Sequence, residues 1–244
     1  GLSMSYSFDN FVLKSVTGYQ NLDDRQAIDQ DSTAEAKAFV IQTQKQNQFS
    51  QELEMRSKDG KRFTWLNGLF GFYQTGKRMV LYTTQKDYDE PSYGLAADHQ
   101  STLKDFLLKK LSLTVGARFD YEKAKQDYIV WKLSADQKEQ TTRLNDSESF
   151  TQFTPKVSLQ YQFDASNMIY ATTTRGYKTG GFNISFSTED ERTYSPEYSW
   201  NYEVGGRFSA FNNRLYGDLA LFYIDWRNQQ ISHAVANKTG SMLT

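Results

Sequence analysis

Three observations predict an all-β fold, and within it an antiparallel up-and-down transmembrane β-barrel. Apolar and polar residues alternate over strand-length stretches, tight and long connections take turns along the chain, and the apolar faces of the clearest strands carry no charge. The alternation is plainest at residues 200–208: Trp200, Tyr202, Val204, Gly206 and Phe208 share one face, and Asn201, Glu203, Gly205 and Arg207 the other. A soluble sheet buries such an apolar face in a core. A membrane barrel turns it to lipid and lines its lumen with the polar one. On the pattern alone, a large soluble β-sandwich stays open beside the barrel.

Ten candidate strands follow in order: 2–9, 11–20, 36–57, 62–74, one near 99–108, 111–131, 149–163, 167–178, 198–210 and 214–232. Tight turns are expected at Asp9-Asn10, at Lys58-Asp59-Gly60-Lys61, where Gly60 can take positive φ, at Lys109-Lys110, at 164–167 and at 211–213. Long connections are expected at 21–35, 75–98, 132–148 and 179–197. Short turns at one end and long loops at the other describe an outer-membrane barrel, and no blade repeat argues for a propeller. The apolar faces within 2–8, 49–55, 111–121, 153–163, 200–208 and 215–223 lack charge, where one Lys or Arg at midplane depth would cost roughly 2–4 kcal/mol. The opposite faces carry Glu52, Glu54, Arg56, Arg118, Asp120, Lys156, Glu203, Arg207 and Asp218. Strands 11–20, 62–74 and 167–178 alternate less cleanly, and Pro155 inside a strand requires an edge, a bulge or a rim.

Composition narrows the function. A net charge of -1 and a pI near 6.2 argue against a nucleic-acid surface. There is no cysteine for disulfides or thiolate metal sites, and no run of 18 apolar residues for a membrane helix. The mean hydropathy of -0.70 fits a barrel, since only alternate residues meet lipid, and 16 Tyr with 17 Phe suit interfacial girdles. The pattern opens mid-strand at Leu2, Met4, Tyr6 and Phe8, so a fragment of a larger chain is expected.

Several segments resemble TonB-dependent outer-membrane receptors of the siderophore and haem type. They are FVLKSVTGY at 11–19, FSQEL at 49–53, FTWLNGLF at 63–70, LSLTVGARFD at 111–120 and FTPKVSL at 153–159, then YATTTRGYKTGGFN at 170–183, PEYSWNYEVGGR at 196–207 and ALFYIDW at 220–226. Each is weak alone, but their order and spacing cover most of the chain. The resemblance implies a barrel of roughly 22 strands around a plug domain. Ten strands would then be a middle part of the barrel domain, with the plug, its TonB-binding segment and the C-terminal strands outside residues 1–244. Isolated, such a piece is expected to be unstable and inactive. The implied function is active import, across the bacterial outer membrane, of a ferric siderophore or similar iron complex, with haem second. The implied partners are the TonB complex, through the plug, and outer-membrane lipid. A passive porin or adhesin barrel is the alternative, and no enzymatic role is expected.

The expected ligand contacts are Tyr82, Tyr93, Arg175, Tyr177, Lys178 and Phe182, in or near the long loops. Aromatic faces suit catecholate, phenolate or haem groups, and the two cations suit an anionic chelate. Tyr88 belongs to the same aromatic group. The bland reading of the aromatics is an interfacial girdle. Arg118, Asp120, Lys156, Glu203 and Arg207 are expected to face the lumen and the plug, in cross-strand ion pairs. Gly180-Gly181 lacks the spacing of a phosphate loop and reads as a strand end entering a loop. His99 and His233 lack metal-ligand spacing and read as loop or rim residues. Asp87, Asp89, Glu90 and Asp98 read as a solvated acidic loop rather than a calcium site. No cofactor or metal is expected.

Overall fold

The computed structural model describes residues 1–29, 39–82, 84–135, 137–183, 191–212 and 214–231, with 235–236 and 242–243 described by backbone alone. His233 lies outside the described residues. In chain order the strands are β1 (Leu2–Ser7), β2 (Phe11–Asp29), β3 (Phe39–Ser57), β4 (Phe63–Leu81), β5 (Thr84–Asp89), β6 (Ser92–Lys104), β7 (Leu111–Leu133), β8 (Lys138–Gln162), β9 (Met168–Lys178), β10 (Gly181–Phe182), β11 (Thr193–Tyr194), β12 (Glu197–Ala210), β13 (Leu215–Arg227), β14 (Val235–Ala236) and β15 (Met242–Leu243).

Eleven of these form one sheet with the meander order of a barrel wall: β1, β2, β3, β4, then β5 and β6, then β7, β8, β9, β12 and β13, every pairing antiparallel. β5 and β6 are a single path interrupted at Glu90-Pro91. β4 pairs with β6 along its lower half and with β5 along its upper half, and β7 pairs with both. Proline has no N–H for a ladder, and the chain places it in this break. The Glu90 N–H there still reaches the Gly76 carbonyl at 2.7 Å, and the Pro91 carbonyl accepts from the Lys125 N–H at 3.0 Å.

Directly opposite residues share a face, so the registers define each surface. One row runs Phe63, Leu103, Leu113, Leu159, Ala171, Val204, Leu221 across seven strands. A second runs Tyr19, Phe49, Tyr73, Tyr93. Phe63 and Tyr73 are ten residues apart on β4. At about 3.3 Å per residue and a strand tilt near 40°, this stretch of β4 rises ~25 Å along the barrel axis, the height of a barrel's lipid band. No second sheet covers this face: Val204 is 61% exposed and Leu221 71%, and the buried hydrophobic residues among those described are Tyr88, Ala96 and Tyr128. A soluble sandwich would have closed over these rows. The naked apolar face therefore decides for the membrane wall.

The strands are longer than the pattern suggests. The expected connection 75–98 is the top of β4, all of β5 and the start of β6; 132–148 contains only a short turn before β8 begins at Lys138; and the described part of 21–35 continues β2 to Asp29. Above the upper aromatic row both faces meet water, so apolar-polar alternation ceases while the ladder continues. The less regular strand 62–74 has aromatic Phe70 and Phe72 on its inner face, which masks its outer run Phe63, Trp65, Leu69 and Tyr73. Gly60 does take φ +90 in its turn.

The turn between β8 and β9 is built on Asp164. One carboxylate oxygen, Oδ1, accepts the backbone N–H groups of Ser166 (2.8 Å) and Asn167 (2.9 Å) and the Asn167 side-chain amide (2.9 Å). Asn167 Oδ1 in turn accepts the Ser209 N–H of β12 at 2.7 Å.

Two outcomes follow. In the membrane-embedded protein, Val204→Arg should cost about 2–4 kcal/mol in reversible unfolding into lipid, against little for Thr172→Arg on the neighbouring strand's inner face. The Ser166 N–H, and after it the Asn167 side chain, hold the Asp164 carboxyl below its ordinary value of 3.8. A lowered carboxyl stabilises fully above its unfolded pKa and loses that contribution as pH falls through the folded one. Asp164→Ala should therefore lower Tm at pH 6, and the gap from the parent should close as pH drops below 3.8.

Candidate vestibule and lumen site

The inner face repeats the row logic with polar chemistry. One row runs Glu54, Gly68, Asp98, Arg118, Thr154, and the next Glu52, Phe70, Ala96, Asp120, Gln152. Arg118 joins them. Its guanidinium meets Asp120 at 2.8 Å and Asp98 at 3.4 Å and lies 5.8 Å from the Phe70 ring centre. A shallow cavity of about 230 Å³ opens here, lined by Glu52, Leu69, Phe70, Asp98 and Arg118. Gly68 is a steric requirement: a Cβ there would fall 2.4 Å from Asp98 Oδ1.

The network continues to β9, where the Tyr177 hydroxyl lies close enough to Asp120, Glu122 and Arg118 to feel their charges. Between β8 and β9 the backbone ladder ends at Lys156–Thr174. Pro155 lies just beyond, and side chains replace the ladder. Arg175 Nη1 donates to the Phe153 carbonyl at 2.9 Å, its guanidinium stacks 4.5 Å over Tyr198, and Gln152 Nε2 donates to the Tyr198 hydroxyl at 3.1 Å.

Nearer the loop end, Arg78 pairs with Glu90 at 2.9 Å and stacks 4.4 Å over Tyr88. Gln126 donates to the same Glu90 oxygen at 2.8 Å, and Tyr88 packs on Tyr128 with ring centres 4.9 Å apart. Burial pushes the Tyr88 hydroxyl up, so it stays a neutral donor at ordinary pH. The β10–β11 hairpin folds over this wall. It closes a cleft of about 360 Å³ in which Phe182 and Tyr194 face Arg78, Glu90, Glu122 and Lys125. Gly180 and Gly181 permit the approach: a Cβ on Gly180 would meet the Tyr194 carbonyl at 2.3 Å, and one on Gly181 the Tyr194 hydroxyl at 2.5 Å. Arg192 anchors the hairpin to Asp146 of β8.

The expected ligand residues are thus dispersed. Phe182 lines the cleft. Tyr177 belongs to the lumen network. Tyr82 is at the tip of the β4–β5 turn, 53% exposed. Tyr93 is no loop residue; it faces outward in the upper aromatic row, so its girdle reading holds. Arg175 donates to the Phe153 carbonyl where the ladder stops, and Lys178 is 3.9 Å from the buried Glu197. Of the lumen set, Arg118 and Asp120 pair with each other. Arg207 pairs with Asp218 directly across from it at 3.0 Å, Glu203 accepts from the Tyr170 hydroxyl at 2.6 Å, and Lys156 stands on the inner face opposite Gly116 and Thr174. His99 is not a loop residue either. It lies on the outward face of β6, with Nδ1 2.8 Å from Asn67 Oδ1 and Nε2 2.8 Å from Ser101 Oγ. The acidic group is split among partners: Asp87 binds Trp131 at 2.7 Å, Glu90 binds Arg78, and Asp98 binds Arg118. Arg78, Tyr128 and Tyr194 are absent from the sequence reading, and Asp98, read there as part of a solvated loop, is on a strand beside Arg118; strand alternation continued past residue 74 puts Arg78 on the inner face.

Residues 1–242 match the family described as TonB dependent receptor-like, beta-barrel. The chain belongs to the TonB-dependent receptor family, within its β-barrel. Among solved structures it is similar in fold to the ferric yersiniabactin uptake receptor FyuA from Yersinia pestis (TM-score 0.76, 22% identity, 94% of this chain and 35% of that one). It is also similar to the siderophore receptor PiuA from Acinetobacter baumannii (TM-score 0.66, 12% identity, 90% and 38%). A third likeness is to the ferric citrate transporter FecA (TM-score 0.65, 13% identity, 98% and 35%). The chain therefore spans little more than a third of these receptors. Like its family, it resides in the bacterial outer membrane, and the relatives are transport receptors rather than enzymes.

The Gly68–Asp98 contact gives a direct check. Gly68→Ala should displace the Asp98 carboxylate from Arg118 and destabilise the receptor, whereas the same substitution in an Asp98→Ala background should cost little. A double-mutant cycle by denaturant unfolding should show a coupling of about 1 kcal/mol.

Proposed function

We propose that this chain forms wall and vestibule of a receptor that imports a ferric siderophore or similar iron complex across the outer membrane, driven through TonB. The observation that carries the reading is the match to the receptor barrel over residues 1–242. The inner face supports it. The cleft under the β10–β11 hairpin offers two aromatic faces at the loop end, and the Asp98–Arg118–Asp120–Tyr177 network below it faces the lumen, where a plug domain would meet it. Haem is the weaker candidate: an axial histidine would have to face the vestibule, and His99, the histidine among the described residues, faces outward. The porin or adhesin alternative gains nothing from the family match.

The test is complementation. A strain lacking the receptor should fail to take up radiolabelled iron from its cognate chelate, regain uptake with the intact gene, and lose it again when TonB is deleted. Uptake that survives TonB deletion would point to a passive barrel. Phe182→Ala together with Tyr194→Ala should raise the apparent KM several-fold with the receptor still present in the outer membrane.

A further inference from the structure

Inner-face positions of β3 above the lipid band are occupied in succession by Gln42, Gln44, Gln46 and Gln48, and Gln20 and Gln74 flank Gln48 on the neighbouring strands. Glutamine is not a favoured strand former, and the outward positions between these residues hold Thr43, Lys45 and Asn47, so strand propensity does not account for the run. The four β3 amides and Gln74 are half-buried. Among the described residues the six make one side-chain hydrogen bond to each other, from Gln46 Nε2 to Gln74 Oε1 at 3.1 Å. Their other amide groups make no side-chain hydrogen bond among the described residues, and they stand on the inner face of the wall. Gln74 also lines the cleft shared with Phe182 and Tyr194, so ladder and cleft are one surface.

Charge on the same wall decides what this surface suits. Arg78 is neutralised by Glu90, and Arg192 by Asp146. Below the glutamines, Glu52, Glu54, Asp98, Asp120 and Glu122 outnumber Arg56, Lys104 and Arg118 on the inner face of β3–β7, while Lys86 and Lys132 stand higher, Lys86 in the row of Gln42. A polyanion descending this wall would meet a repulsive field. A primary amide both donates and accepts, which matches hydroxyl, amide and hydroxamate groups without demanding charge.

We infer that the chelate taken by this vestibule is electrically neutral, with amide, hydroxyl or hydroxamate groups on its surface, rather than a polyanionic catecholate complex. This rests on the import reading and refines it.

The experiment uses the full-length receptor in detergent, titrated by protein fluorescence with a neutral ferric trihydroxamate and with a trianionic ferric tris-catecholate. The neutral chelate should bind at least about tenfold tighter, with little dependence on salt. Gln46→Leu with Gln48→Leu should weaken it about tenfold, the effect of two lost neutral hydrogen bonds. Asn47→Leu, on the outward face of the same strand, should leave it unchanged. Tighter binding of the trianion, or equal binding by the glutamine variant, overturns the inference and leaves iron import standing. Equal loss in the Asn47 variant assigns the effect to the strand and also overturns it. Binding of neither chelate class overturns the import reading itself, and the inference with it.

Discussion

Everything in this wall depends on pairing the backbone. Hydrocarbon offers no hydrogen-bond partner, so each N–H and C=O inside the membrane must meet one on a neighbouring strand. That requirement explains a meander with unbroken registers: β2 pairs with β3 from Phe11–Ser57 to Asp29–Phe39 without a slip. It also explains where irregularity is allowed. The Glu90-Pro91 break and the register shift between Val130 and Trp131 both fall beyond the upper aromatic row, where water can serve any unmet group.

Once the ladder is fixed, the period of two assigns chemistry with no further freedom. Odd positions of β4 carry Phe63, Trp65, Leu69 and Tyr73 to lipid, and even positions carry Phe70, Phe72, Gln74 and Arg78 inward. One residue of slip would drive Arg78 outward and Tyr73 into the vestibule, so the lipid band and the ligand surface are two consequences of one register. Polar residues that do face outward are paired among themselves: Gln51 with Thr17 and Ser15, and His99 with Asn67 and Ser101. Burying an unpartnered amide in lipid would cost several kcal/mol, and these contacts remove much of that cost.

Legibility in the sequence followed the solvent. Between the aromatic rows, lipid on one side and lumen on the other impose opposite chemistry on alternate residues, and strands such as 200–208 were readable. Above the upper row both sides are aqueous, so Lys77 and Arg78, or Asp127 and Gln126, look alike, and long strands were taken for loops. Tyr93 was misplaced for that reason, as an aromatic assigned to a loop that does not exist. Arg118 and Asp120 were legible because they are two apart on one strand. The approach of Tyr177 to Asp120 was not, because it crosses β8 and depends on how the sheet curves, which no local period encodes. The charge of Arg175 suggests a ligand contact, and nothing local announces that it donates to the Phe153 carbonyl, where the β8–β9 ladder stops beside Pro155.

That carbonyl marks a seam unlike the rest of the wall. Elsewhere, parting two strands means breaking a ladder of backbone bonds. Above Lys156 and Thr174 no ladder joins β8 to β9, and the side-chain contacts across the gap include Arg175 to Phe153, Gln152 to Tyr198 and, at the hairpin, Arg192 to Asp146. Side-chain bonds of this kind contribute about 0.5–1.5 kcal/mol each, somewhat more where a charge takes part. The seam therefore opens at far lower cost than any fully paired strand boundary. It also borders the segment that leads through Gly180-Gly181 into the hairpin carrying Phe182 and Tyr194. The hairpin side of the cleft is thus joined to the wall beside a boundary that lacks a backbone ladder, while the opposite side, on β4–β7, keeps its own.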